Sequence, residues 1–267
     1  MHRGLRLPGE GSLLSFTFTE LPPQSLGMVR YVSTAGLFTG GILILSGARA
    51  QKNNVTITAK FQTVKIAPVT NISKVPRLVW IVLNEIVGGR LHTNGAPFSK
   101  PCFGNMTSAN SCSTIQSNYI SNAFRADNYG AYMMTQWEGC QKSQEYCELD
   151  WTYPENTDAF KPPATCAQGS INAHYIDVGN AVDVIAAFVF SRMTSVPLVI
   201  KNSGHDYKGR SSAPNALTLW THNIKYTRYD AKFQPDACSS IPATPAITYG
   251  AGQDFASLYE FAEAKSA

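Results

Sequence analysis

The stretch Pro197-Leu-Val-Ile-Lys-Asn-Ser-Gly-His-Asp-Tyr-Lys-Gly-Arg-Ser-Ser212 decides how the whole chain is interpreted. Its apolar start, Leu198 to Ile200, predicts a short buried strand. The strand leads into a turn-forming segment, Ser203 to Tyr207, that contains one histidine. Loops of this kind can aim several backbone N–H groups at one anion. Leu217 to Trp220 has an extended pattern, so no helix follows. A phosphate would therefore be held by loop amides and serine hydroxyls rather than by a helix N-terminus.

The residues before this loop predict a βαβ unit. Tyr175 to Val178 reads as a strand, and the side-chain oxygen of Asn180 can cap a helix that follows. Val196-Pro197 ends that helix before the next strand. The two strands should be parallel with a right-handed crossover. The helix has one apolar stripe at three- and four-residue spacing, which we expect to pack in a core: Val182, Ile185, Phe188, Val189 and Met193.

The residues after the loop predict a further strand and a further helix. Ala246 to Gly250 reads as the strand, and Asp254 to Ala264 as an amphipathic helix. The apolar face of this helix, also expected to pack in a core, consists of Phe255, Leu258, Tyr259 and Ala262.

Ile200 to Ser212 resembles the diphosphate loop of the FAD-linked oxidases of the vanillyl-alcohol oxidase class, and most closely that of their secreted, berberine-bridge-enzyme-like fungal members. The resemblance covers roughly Gly88 to the C-terminus and includes Tyr129-Gly-Ala-Tyr-Met-Met-Thr-Gln-Trp137, to which we assign no chemical role. It implies an α+β fold: the first half of a PCMH-type FAD-binding domain, ordered β-α-β-loop-β-β-α, preceded by a disulfide-bearing N-terminal extension. We expect the extension at 51–165 and the partial FAD-binding domain at 166–267.

The resemblance also implies which residues bind the cofactor. By position, His205 would carry a covalent bond to the flavin of FAD. Lys201 and Arg210 offer positive charge, either to the ligand or to solvent. Asp206 is a poor phosphate neighbour by charge, so only its N–H should face the ligand. The expected cofactor-binding residues are Asn202, Ser203, Gly204, His205, Asp206, Tyr207, Gly209, Ser211 and Ser212.

The family reaction is oxidation of an alcohol, a sugar or a related C–H donor, followed by reoxidation of the flavin by O₂. In this family the catalytic base and substrate pocket come mainly from a later part of the chain, so the catalytic residues stay unknown here. Two interpretations follow: a fragment of a secreted FAD-dependent oxidoreductase, or a short non-catalytic secreted glycoprotein that keeps part of the FAD-binding scaffold. Gly209 to Ala213 matches the hydrolase pattern G-x-S-x-G only partly, because Ala213 replaces its last glycine and no helix follows.

Several features predict secretion to the extracellular space. Residues 28–50 read as a signal peptide with a basic start, an apolar centre and a small-residue cleavage site, and residues 1–27 as a misassigned leader. A membrane anchor is the alternative, although the apolar run is short for a membrane span, and we expect none in the mature chain. Glycosylation sequons begin at Asn54, Asn71 and Asn105.

The cysteine and charge content narrows the remaining classes. The chain has 6 cysteines without a CxxC pair, which favours disulfides over a metal site in an oxidising compartment. Cys102–Cys112 and Cys140–Cys147 are the local pairing options, among several connectivities. His92, His174 and His222 lack metal-like neighbours, so we interpret them as structural or surface residues. The net charge of +4 is too small to indicate nucleic-acid binding.

Overall fold

The computed structural model describes residues 68–104, 109–236, 238 and 240–265, together with the backbone of three strands between residues 35 and 64. The proposed leader, 1–27, lies outside the described residues, as does the proposed signal peptide, 28–50, apart from two of those strands. The sequons at Asn54 and Asn105 also lie outside them. At the third sequon, the Asn71 side chain accepts a hydrogen bond of 2.9 Å from the N–H of Ser73. Glycosylation stays a prediction at all three.

Most of the strands lie in the second half of the chain, and most of the helices precede them. The strands are β1 Ala35–Phe38, β2 Gly41–Leu45, β3 Phe61–Val64, β4 Leu91–His92, β5 Tyr175–Asp177, β6 Leu198–Lys201, β7 Leu217–Trp220, β8 Thr227–Phe233 and β9 Thr244–Tyr249. The helices are α1 Arg77–Ile86, α2 Ala109–Ser117, α3 Asn122–Ala126, α4 Ala181–Thr194 and α5 Phe255–Ala264, with single 3₁₀ turns at Ile72–Lys74, Lys100–Cys102, Thr135–Trp137 and Thr157–Ala159. None of the helices in the described ranges is long and apolar enough to cross a membrane.

A four-stranded sheet in the order β4-β5-β7-β6 organises the second half of the chain. Strands β5 and β6 both run parallel to β7, and β4 runs antiparallel to β5. The succession β5-α4-β6-loop-β7-β8-β9-α5 agrees with the order predicted from the sequence, except that it contains one additional strand, β8. The two strands of the βαβ unit are parallel as predicted, but β7 lies between them. Since β6 is an edge strand, the loop that follows it starts at the edge of the sheet.

Helix α4 begins at a complete capping box. The Asn180 side chain accepts hydrogen bonds from the N–H groups of Val182 and Asp183, and the Asp183 carboxylate accepts one from the N–H of Asn180. This confirms the predicted cap. The Asp183 carboxylate is buried, and it also forms an ion pair of 2.5 Å with Arg90. The ion pair compensates the burial of the charge and turns the Asp183 side of the helix toward the sheet.

The buried face of α4 matches the predicted stripe only toward the end of the helix, where Val189 is half-buried and Met193 is buried in the core. Val182, Ile185 and Phe188 are 56%, 63% and 57% exposed, so the expectation that they pack in a core is wrong. The helix is apolar on nearly all sides, and a second stripe with the same spacing is the one that faces inward. That stripe carries two alanines, which let the helix approach the sheet closely; its buried members are Asp183, Ala186, Ala187, Phe190, Met193 and Thr194.

The two faces of the sheet are covered by different parts of the chain. On one face, α1 and α4 pack against apolar strand residues such as Ile176 and Leu219. The other face carries an aromatic cluster in which Tyr129 stacks on Tyr175 of β5 at 3.7 Å between ring centroids. Trp220 of β7 meets the Tyr129 ring edge-on. Residues upstream of β5 thus cover the second face of the sheet.

Two disulfides fasten the region upstream of β5. The Cys102–Cys112 bridge confirms one of the local options. The second bridge joins Cys147 to Cys166, so the Cys140–Cys147 option is wrong. The N–H of Ala167 donates to the Tyr146 carbonyl at 3.0 Å, and this contact places the two segments side by side next to both cysteines. In the part of the chain that the structure describes, Cys140 and Cys238 are free.

Helix α5 forms where the sequence predicts it, with Asp254 as its N-cap. Its apolar face is only partly covered, because Leu258 and Ala262 are half-buried and no residue of the helix is fully buried. Phe255 and Tyr259 are each 68% exposed, so the expectation that they pack in a core is also wrong for the described chain. The two rings stack on each other instead.

Candidate functional site

The loop between β6 and β7 borders an open cavity of about 570 Å³ at the edge of the sheet. One wall of the cavity is the edge strand itself, at Leu198, Val199 and Ile200. The other wall is the first half of the loop. The loop residues that line the cavity are Asn202, Ser203, Gly204, His205, Asp206, Arg210 and Ser211. Six of the nine residues expected to bind a cofactor therefore lie together around one cavity.

The other three expected residues point elsewhere. The Tyr207 side chain is 74% exposed to solvent. Gly209 lies against the ring of Trp137, and the Ser212 hydroxyl donates to the Trp137 carbonyl at 2.9 Å. Gly209 and Ser212 thus attach the back of the loop to the preceding part of the chain.

The Asp206 carboxylate organises the turn of the loop. It accepts hydrogen bonds from the N–H groups of Lys208 at 3.0 Å and Ser211 at 2.8 Å, and Arg210 lies 3.6 Å away. Burial acts to raise the pKa of Asp206, but these backbone hydrogen bonds outweigh it and the pKa is lowered. The carboxylate is therefore held ionised by the loop's own amides and is not free to accept from a ligand.

The front of the loop keeps its donors unused. In the described part of the chain, the main-chain N–H groups from Ser203 to Tyr207 have no hydrogen-bond partner. The Ser211 hydroxyl is buried, lines the cavity and is also without a partner among the described residues. A buried hydroxyl without a partner is costly unless a ligand completes its hydrogen bonds, and the free amides beside it are open to the same ligand. An anion with several acceptor oxygens, such as a diphosphate, fits this arrangement.

His205 stands exposed at the mouth of the cavity. Its Nδ1 lies 2.6 Å from the Ser203 hydroxyl, two residues earlier in the same turn. This hydrogen bond fixes the orientation of the ring. The other ring nitrogen, Nε2, has no hydrogen-bond partner in the described ranges and can react with or bind a ligand.

The segment Tyr129–Trp137, to which we assign no chemical role from the sequence, packs against the loop on the side away from the cavity. The N–H of Met133 donates to the Gly204 carbonyl at 3.0 Å. The Tyr132 hydroxyl donates to the Ser211 carbonyl at 2.7 Å. With the bond from Ser212 to Trp137, three hydrogen bonds join the segment to the loop. The concentration of aromatic residues in this segment was the only sequence signal of its role.

Lys201, the last residue of β6, is neither solvated nor exposed to the cavity. Its side chain is completely buried, with Nζ 4.9–5.6 Å from the ring centroids of Tyr129, Tyr132 and Trp220. Its polar partner is the Asn128 carbonyl at 3.2 Å. Burial lowers the pKa of Lys201 to about 7, an effect that Glu138 opposes. Successive side chains of a strand point to opposite faces, so Lys201 lies on the same face of β6 as the buried Val199, while Ile200 between them is exposed.

A buried ion pair fixes the supporting segment. Arg125 contacts the Glu138 carboxylate and donates to the Tyr132 carbonyl at 2.9 Å. The same Glu138 oxygen accepts from the N–H of Tyr132 at 2.8 Å. Complete burial raises the pKa of Glu138 to about 7, although Arg125 acts to lower it. Both polar groups of the Tyr132 backbone are thereby satisfied directly behind the loop.

The histidines that were interpreted as structural occupy such positions. His222 is buried, with Nε2 at 2.7 Å from the Asp127 carboxylate. His174 stacks on Trp80, and His92 stacks on Tyr175.

The chain is similar in sequence to two fungal proteins named as FAD-linked oxidoreductases. It is 40% identical over 190 residues to the FAD-linked oxidoreductase ffsJ of Aspergillus flavipes, a match that covers 68% of this chain and 30% of the relative. It is 38% identical over 181 residues to the FAD-linked oxidoreductase cheF of Chaetomium globosum, covering 65% and 29%. The chain thus spans less than a third of the length of these relatives. No protein-family model matches it.

Solved structures share its fold. The crystal structure of the VAO-type flavoprotein MtVAO615 from Myceliophthora thermophila C1 superposes with a TM-score of 0.60 at 24% identity. The match covers 75% of this chain and 34% of the flavoprotein chain. A second VAO-type flavoprotein from the same organism, MtVAO713, superposes with a TM-score of 0.58 at 19% identity.

Proposed function

We propose that this chain binds FAD through the loop that joins β6 to β7. Over some two thirds of its length, the chain belongs to the FAD-linked oxidoreductases of the vanillyl-alcohol oxidase type. The activity we propose is oxidation of an alcohol, a sugar or a related C–H donor, with O₂ as the final acceptor. When bound, the flavin supplies the hydride acceptor, and the protein holds and orients it.

The unused donors on the cavity side of the loop are the observation that carries the proposal. The free amides between Ser203 and Tyr207 and the unpartnered Ser211 hydroxyl all belong to residues at one turn. The Asp206 carboxylate, the group that would repel a diphosphate, is occupied by amides of the loop itself. The turn therefore offers several donors to one ligand, while the amides of the loop partly compensate the charge of its carboxylate, as a bridging diphosphate requires.

We propose that His205 is the covalent attachment point of the flavin. Its ring lies at the mouth of the cavity, and the Ser203 hydroxyl holds Nδ1. A ring held in one orientation loses less freedom when it forms a bond, which favours attachment.

The experiment is to precipitate the protein with acid after expression with FAD and to measure flavin in the pellet. We expect the wild-type pellet to retain flavin and the pellet of His205→Ala to contain none. Before denaturation, the His205→Ala variant should still bind FAD, because its loop donors remain. His92→Ala is the matched control, a histidine on β4 that stacks on Tyr175, and it should retain covalent flavin. Flavin attached to the His205→Ala variant would refute the assignment.

We also propose that the protein passes through the secretory pathway. Its two disulfides support this, because such bonds persist in oxidising compartments and are rare in the cytosol. Mass spectrometry of the protein secreted by a fungal host tests it: the first residue should be Gln51, and glycans should be found on the sequons.

A further inference from the structure

A buried cation without a counter-charge lies directly behind the proposed diphosphate loop. The ammonium group of Lys201 is completely buried. No acidic side chain in the described ranges forms an ion pair with it, and its hydrogen-bond partner is a neutral carbonyl, that of Asn128. Burying an unpaired charge is expensive, and proteins rarely keep one without a partner.

The Lys201 side chain passes under the centre of the loop. Its Cε lies 3.6 Å from the position that a Cβ on Gly204 would occupy. Gly204 has a φ of +90° and belongs to the lining of the cavity. The Gly204 backbone therefore lies between the lysine side chain and the place where we put the diphosphate, with the backbone of Ala131 and Tyr132 beside it.

The other groups around Lys201 do not balance its charge. Tyr129 and Tyr132 present ring faces, and burial raises the pKa of both, so their hydroxyls stay neutral at physiological pH. Trp220 of β7 completes the aromatic cage. Glu138 is the acidic neighbour, but it already forms a buried ion pair with Arg125. A second acid, Glu148, interacts with Arg125 and Glu138. Neither acid forms an ion pair with Lys201 in the described ranges, so the ammonium group is left for a ligand anion.

We propose that Lys201 is a positioning residue for the diphosphate of FAD, and that its amine takes up one proton when the diphosphate binds. The inference rests on the proposed function. An anion on the far side of a thin, poorly hydrated loop interacts strongly with a buried ammonium group, because the effective dielectric constant there is low. In the free protein, burial lowers the pKa of Lys201 to about 7, so a large share of the amine is neutral above that pH. The bound anion favours the charged form, and the proton comes from solvent.

The test measures FAD affinity by calorimetry at several pH values, in buffers with different enthalpies of ionisation. Every protein carries His205→Ala, which prevents covalent attachment and removes the histidine of the cavity from the titration. Because the diphosphate of FAD is a diester, it does not titrate near neutral pH. We expect the Kd of the Lys201 protein to rise above about pH 7, approaching tenfold per pH unit, with close to one proton taken up.

Three variants separate a charge effect from a packing effect. Lys201→Arg keeps the charge at every pH, so its Kd should not change with pH. Lys201→Met should bind FAD on the order of a hundredfold more weakly at low pH, also without pH dependence. Lys208→Met removes an exposed lysine of the same loop and should behave like the parent. Glu138 also has a pKa near 7, so the proton uptake is assigned to Lys201 by the difference between the parent and a Lys201 variant, and one folded variant of the two is enough.

The possible failures are distinguishable. If the parent binds no FAD at any pH, the proposed function fails and this inference fails with it. If FAD binds with an affinity that is independent of pH and without proton uptake, the FAD site stands and the role of Lys201 is overturned.

Discussion

Replacing Gly209 with alanine tests whether the loop is held against Trp137. Gly209 has a φ of +67°, and a Cβ built on it would lie 2.5 Å from the Trp137 ring. The left-handed conformation costs an alanine about 1–2 kcal/mol. Forcing a methyl group into a packed ring costs a further 1–3 kcal/mol, approximately, by the behaviour of overpacked cores. We therefore expect Gly209→Ala to lower the free energy of unfolding by about 2–5 kcal/mol.

Gly89 provides the matched control. It has a φ of +82°, but a Cβ there would meet no atom within 4 Å. Gly89→Ala should therefore lose only the conformational part, about 1–2 kcal/mol. Urea unfolding followed by circular dichroism measures both variants. Trp137→Ala combined with Gly209→Ala should bring the cost of the glycine substitution down to that of Gly89→Ala. Equal losses for the two single variants would mean that the loop does not pack on Trp137.

Three other predictions concern stability. Between about pH 7 and 10.5 the unfolded chain keeps a proton on Lys201 that the folded chain lacks. The wild type should therefore gain stability with rising pH relative to Lys201→Met, by about 1.4 kcal/mol per pH unit. Urea unfolding at several pH values in that range measures the difference between the two proteins, and a difference that stays constant would contradict the prediction. Cys166→Ala opens a bridge that spans 19 residues and should cost about 3 kcal/mol, whereas Cys140→Ala, at a free cysteine, should cost little; equal thermal midpoints would refute this. Ile185→Lys on the exposed face of α4 should change stability by no more than about 0.5 kcal/mol, but Phe190→Ala on the buried face should cost about 3–5 kcal/mol; a reversed order would show that the two faces are misassigned.

Local signals in the sequence were enough to predict the scaffold of the site. The capping box at Asn180, the apolar run before Lys201 and the turn residues around Gly204 each act over a few neighbouring residues. The order of strands and helices around the loop follows from them. The position of β7 between β5 and β6 could not be predicted in this way, because strand order depends on pairing between distant segments.

The parts that were mispredicted depend on choices that local patterns leave open. Helix α4 offers two apolar stripes, and the small side chain of Ala187 and the ion pair of Asp183 with Arg90 decide which one faces the sheet. The partner of Cys147 depends on how the chain folds back before Cys166. The burial of Lys201 depends on an aromatic cage built from two segments far apart in the chain, Tyr129–Trp137 and β7, although the strand alternation already favoured it.

The contacts that support the loop from behind join residues far apart in the chain. Tyr132 and Ser211 are 79 residues apart, Trp137 and Ser212 are 75, and Asn128 and Lys201 are 73. Closing such long loops is entropically costly, so these contacts should form late in folding, after the βαβ unit. A loop substitution such as Gly209→Ala should therefore speed unfolding and leave the folding rate nearly unchanged, which stopped-flow kinetics can measure. A cofactor that binds only the completed loop would then slow the unfolding of the protein and leave its folding rate unchanged.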